Sequence, residues 1–121
     1  NQRSVYDIYC LFLAMQQKNQ AVYQDVRRKI LDNETTSALY VSLIHLLDGN
    51  YKECIDTLVE WEGTLADSDK NDLYQAYYLC AVANYLRGNI SEAYQALYKL
   101  PPEYPNAGYL KGLLQSSSDA Q

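Results

Sequence analysis

Apolar residues recur along this chain at intervals of three and four, the spacing of one face of an α-helix, so helices are expected throughout and strands nowhere. Val5, Ile8, Tyr9, Phe12 and Leu13 form the first such face. They predict a helix from about Ser4 to Gln17, with Ser4 as its N-cap and Asp7 in an acidic first turn. Lys18-Asn19 breaks the pattern, and a second helix from about Gln20 to Leu31 carries Val22, Val26 and Ile30 before Asp32-Asn33 ends it. The two read as a hairpin. Thr35, Thr36 or Ser37 can cap a third helix reaching Leu47, Asp48-Gly49-Asn50 is a turn signal, and a fourth helix runs to about Glu62. Gly63 to Lys70 is a polar, acidic connector. A fifth helix spans Asn71 to Arg87 and ends at Gly88-Asn89, and a sixth, starting near Ser91, stops before Pro101-Pro102. Tyr109 to Gln115 fits a short seventh helix, and Ser116 to Gln121 is expected to fray. The reading is an all-α chain with one domain over 1–115. Its hairpins lie at about 4–31, 35–62 and 71–100, with a capping segment at 106–115 and a flexible tail at 116–121.

Two of these hairpins repeat. Gly49-Asn50-Tyr51-Lys52-Glu53-Cys54 aligns with Gly88-Asn89-Ile90-Ser91-Glu92-Ala93, 39 residues later. The match extends outward: Val41 and Ser42 correspond to Cys80 and Ala81, and Leu58 and Trp61 to Leu97 and Leu100. Each glycine is expected to end a helix at positive φ, which costs other residues more. The small residues, Ser42 with Cys54 and Ala81 with Ala93, fall where paired helices come closest and a large side chain would wedge them apart.

This spacing resembles the tetratricopeptide repeat, on Gly49, Tyr51 and Cys54 and then Gly88, Ile90 and Ala93, with Pro105 where that family usually closes a repeat. The usual period is about 34 residues, and the Gly63 to Lys70 connector is where the extra five are expected. The likeness spans Thr35 to Ala107. The first hairpin lacks the glycine and the small pair, and counts as a repeat only by context. The resemblance implies an α-solenoid of about three antiparallel hairpins, whose first helices line a concave, partner-binding surface. On that surface it places Leu39, Leu43 and Leu46 from the third helix and Tyr78, Val82 and Tyr85 from the fifth, apolar enough for an amphipathic helix or an extended segment of another protein. The alternative is that the first hairpin or the C-terminal helix packs on these residues and closes the groove. Adaptors of the family that clamp a C-terminal carboxylate use a basic cluster, and Gln75, Leu79 and Val82 offer none.

Composition narrows the function classes. Ten basic against fifteen acidic residues give a net charge of −5, which opposes nucleic-acid binding. Arg27-Arg28-Lys29 reads as cations complementing a helix C-terminus. Three cysteines, Cys10, Cys54 and Cys80, stand far apart in apolar patterns with a single histidine. They suit buried thiols in a reducing compartment, hence a cytoplasmic protein, rather than a metal site or a disulfide framework. No stretch is apolar enough to span a bilayer. Residue 1 is Asn, so a trimmed chain is expected.

Thirteen tyrosines are the most unusual feature, and Tyr74, Tyr77, Tyr78 and Tyr85 fall on three sides of one helix. Catalysis, metals and cofactors are not expected. His45 reads as a core imidazole, Trp61 as a packing wedge, and Asp67-Ser68-Asp69 with Asp72 as a solvated linker lacking the turn glycine and final acid of a calcium loop. The expected role is a protein-binding module or chaperone, similar to small tetratricopeptide-like chaperones of bacterial secretion systems. The competing role is a section or subunit of a larger helical scaffold, self-associating through its terminal hairpins.

Overall fold

The computed structural model describes residues 5–119, with side chains described as far as Ser117. Over that span the chain forms α1 (Val5–Lys18), α2 (Gln20–Asp32), α3 (Ala38–Leu47), α4 (Tyr51–Glu62), α5 (Lys70–Arg87), α6 (Ile90–Leu97) and α7 (Ala107–Asp119), with no strand among the described residues. The expected cap Ser4 lies outside them.

The two matched turns have one geometry. Gly49 and Gly88 sit at φ +81° and +90°. At the first, the Asn50 N–H donates to the His45 carbonyl at 2.8 Å and the Gly49 N–H to Leu46 at 3.1 Å. At the second, Asn89 donates to Asn84 at 2.8 Å and Gly88 to Tyr85 at 3.1 Å. This is the Schellman closure, which satisfies the last carbonyls of a helix and reverses the chain at once. Ser42, Cys54, Ala81 and Ala93 are fully buried where α3 meets α4 and α5 meets α6. Leu43, Ile44, Leu58 and Leu79 are sealed beside them, each contributing roughly 1.5–3 kcal/mol by leaving water.

α5 is the central helix. α4 and α6 pack along it, and α3, α1 and α7 reach its remaining sides. Contacts on several sides explain why its apolar residues are not confined to one face. Tyr74 and Tyr78 are met by Tyr104 from the α6–α7 loop, with ring centroids 6.1 and 5.8 Å apart, and Lys99 stands 5.1 Å from the centre of the Tyr77 ring.

The N-terminal helices are joined differently from the two glycine-closed pairs. A single residue, Asn19, separates α1 from α2. Its N–H donates to the Met15 carbonyl at 2.8 Å, its carbonyl accepts from Tyr23 at 3.0 Å, and its side chain caps Val22. α1 contacts α2 and, beyond it, α5. Its side chains also reach α3: the Phe12 ring lies 6.1 Å from that of Tyr40, tilted by 34°, and the Gln16 amide donates to the Leu47 carbonyl at 3.0 Å, while Val5 is fully buried. α2 buries Tyr23 instead of Val22, which is exposed. It is tied to the end of α3 by Arg27, whose guanidinium grips Asp48 at 3.1 and 2.9 Å, with the Tyr23 hydroxyl 3.4 Å from the same carboxylate. Arg27 thus has a specific partner, whereas Arg28 and Lys29 pair within their own helix with Asp25.

The C-terminal region differs at its edges. α6 ends at Leu97, and residues 98–100 close as tight turns before the prolines. α7 begins at Ala107, after Asn106 at φ +68°, a conformation that Asn tolerates better than most residues. It continues to Asp119.

Candidate protein-binding site

The six residues expected to line an open concave face divide sharply. Leu39, Leu43, Leu46 and Tyr78 are buried in the chain's own interior. α3 packs along α4 and also meets α2 and α5, and α5 is met by α1, α3, α4, α6 and α7, so these four side chains are covered within the chain. Val82 and Tyr85 are half-buried, and together with the buried Tyr78 they line a cavity. The repeat positions Gly49, Tyr51, Cys54, Gly88, Ile90 and Ala93 lie at the two turns and the helix starts that follow them, and none of them lines the cavity.

The cavity is bounded by three helices. α5 supplies its floor through Tyr78, Leu79, Val82, Tyr85 and Leu86; α1 supplies Tyr6 and Tyr9; α7 supplies Tyr109, Leu110 and Leu113. It encloses about 170 Å³, and no charged residue lines it. Tyr109 and Leu86 stand exposed at its mouth, at 62% and 42% of their full accessibility. The Tyr78 ring is fixed by Tyr104 behind it. Desolvation holds the Tyr78 and Tyr9 hydroxyls above the usual phenol range, and a hydrogen bond to Cys10 does the same for Tyr6. The lining is therefore neutral and dipolar at physiological pH.

A wider opening lies on the other side of α1, among Ile8, Leu11, Phe12, Leu39, Tyr40, Asn71, Asp72 and Gln75, with a volume of about 460 Å³. Its polar lip contrasts with the tyrosine-lined cavity.

Of the residues named from the sequence, Tyr78, Val82 and Tyr85 line this cavity, whereas Tyr6, Tyr9, Tyr109, Leu110 and Leu113 were not foreseen. The excess of tyrosine was the available signal: Tyr6 and Tyr109 come from the two ends of the chain, and nothing in local periodicity brings them together.

The remaining candidates have ordinary surroundings. His45 is half-buried on α3. The Asp69 carboxylate accepts from the Ala66 N–H at 3.1 Å, closing the linker before α5. Trp61 packs half-buried against the core. The cysteines are free, and Cys54 and Cys80 are buried. Burial pushes the Cys54 thiol up to about 12 and raises that of Cys80 as well, with the Glu62 carboxylate, 3.6 Å from its sulfur, adding to the effect. No cluster of three His, Cys, Asp or Glu side chains suited to a metal occurs among the described residues. None of the described helices is long and apolar enough to cross a membrane.

Set beside models of known protein families, curated proteins and solved structures, the chain matches none of them.

Proposed function

We propose that this chain is a protein-binding module, built on two tetratricopeptide-like hairpins, that engages its partner at the mouth of the cavity between α1, α5 and α7. The observation carrying this reading is an uncharged, tyrosine-rimmed cavity that opens at the surface beside exposed Tyr109 and Leu86. Binding hot spots concentrate in such places, where a buried anchor is surrounded by aromatic side chains with a polar tip. The fold-level part rests on the twice-repeated glycine closure and the two buried small-residue pairs. Leu39, Leu43 and Leu46 are buried, so the reading rests on the cavity rather than on the whole face between α3 and α5. Three unpaired cysteines fit a reducing, cytoplasmic setting.

Site-specific photo-crosslinking tests the proposal. A benzophenone amino acid at Tyr109 is expected to capture a discrete partner in the native host, and the same group at Val59, exposed on α4, is expected to capture none. Equal labelling from both positions, or none from Tyr109, would contradict it.

A second reading has its own support. Gly108 and Gly112 lie on the outward face of α7, and a Cβ added at either meets nothing within 4 Å. α7 packs mainly on α6 and α5, which leaves it a side on which a neighbouring helix of a scaffold would stack. Sedimentation of the isolated chain separates the two: a scaffold section self-associates through its ends, whereas a self-contained module sediments as a monomer.

A further inference from the structure

We infer that the cavity between α1, α5 and α7 is a socket for one uncharged phenyl-type ring carried by a partner polypeptide. The inference rests on the binding role proposed above and names what that site takes.

Size sets the first limit. A volume of about 170 Å³ is close to that of an engineered apolar cavity of about 150 Å³ in another protein, which stays dry and accepts benzene. One ring fits, and two side chains do not. Lining chemistry sets the second limit. Leu79, Val82, Leu110 and Leu113 give the interior no charge and no carboxylate, so an ionic group entering it would lose its hydration without recompense. Shape sets the third. Tyr6, Tyr9, Tyr78, Tyr85 and Tyr109 surround the space, and a ring seated among them gains edge-to-face contacts that an aliphatic chain lacks. Five tyrosines also raise the possibility of a cage for a quaternary ammonium, which prefers ring faces turned inward on several sides. Here the aliphatic residues interrupt that arrangement, and no acid completes it. The mouth points to a polypeptide as the source: Tyr109 and Leu86 extend the apolar surface beyond the cavity, giving the residues flanking the anchor something to cover.

The test is titration of the full-length chain, methyl-labelled for NMR, with toluene, which is the phenylalanine side chain without its backbone. Saturable shifts are expected at Val82, Leu86 and Leu113, with little change at Leu11 on the other side of α1. Val82→Phe fills the space and should weaken toluene binding at least about tenfold, the scale on which an apolar pocket discriminates by one or two carbon atoms. If that variant does not fold, Leu113→Phe fills the cavity from the α7 wall and serves instead. N-acetyl-phenylalanine methylamide should displace toluene. Absence of saturable shifts would overturn the inference, as would tetramethylammonium or benzoate binding as well as toluene. Toluene binding without displacement by the capped phenylalanine would overturn the polypeptide source and leave a free small molecule. Failure of crosslinking at Tyr109 while toluene and the capped amino acid both bind would fault the host partner, not the socket.

Discussion

The α3–α6 hairpins and the α1–α2 pair reach their packing by different routes. In the hairpins, a glycine at positive φ reverses each chain and a small residue on each helix lets the backbones close, so local sequence dictates who touches whom. In the N-terminal pair, a single asparagine without positive φ joins the helices, and α1 also reaches Tyr40 on α3, far away in sequence. Local closure makes a rigid block, and a loose junction lets the block's own apolar face be covered by the same chain. The lesson concerns binding sites as much as folding: an apolar repeat face is available to a partner only where no neighbouring helix is free to reach it.

The largest effect that sharpens this contrast comes from Leu43→Glu. On an open groove it would spare the fold and abolish binding. At the fully buried position that Leu43 holds, it places an unpaired carboxylate in the core, and the cooperative thermal transition should be lost or fall by several kcal/mol, read by circular dichroism. Smaller is Gly88→Ala. The added Cβ meets no atom within 4 Å, so only backbone strain is felt, and a loss of about 1–2 kcal/mol in chemical denaturation is expected. A matching loss is expected for Gly49→Ala, whereas Gly108→Ala, within a helix and facing open space, should stabilise by a few tenths up to about 1 kcal/mol. Unequal losses at the two turns would break the claim that the repeats are equivalent. The smallest effect is Arg27→Ala. It removes a two-point grip on Asp48 that is partly open to water and should cost about 1 kcal/mol, with amide exchange rising in α2 before it rises in α4 or α5.

What the sequence made legible follows the same division. Helix type throughout, the turns at Gly49 and Gly88, the buried small pairs and the start of α4 could be read because each depends on residues within one turn of helix. The path of α1 could not, because Phe12 meeting Tyr40 and Tyr6 approaching Tyr78 depend on which distant surface was left uncovered. The inner face of α2 was misplaced by one residue, with Tyr23 taking the place of Val22, because the Arg27–Asp48 pair and the Tyr23 hydroxyl together rotate the helix toward the end of α3. Of the candidate site, Tyr78, Val82 and Tyr85 were legible from α5 alone. The walls of the cavity were not, since they come from helices at opposite ends of the chain.

The course of α1 decides whether the cavity exists, and through-space NMR contacts of the Tyr6 ring measure it directly. Crossing α5 toward α7 predicts cross-peaks from Tyr6 to the Tyr78 and Tyr109 rings. A close antiparallel hairpin about Asn19 would instead bring Tyr6 to Leu31 and Asp32, and contacts there without any to Tyr78 would contradict the account.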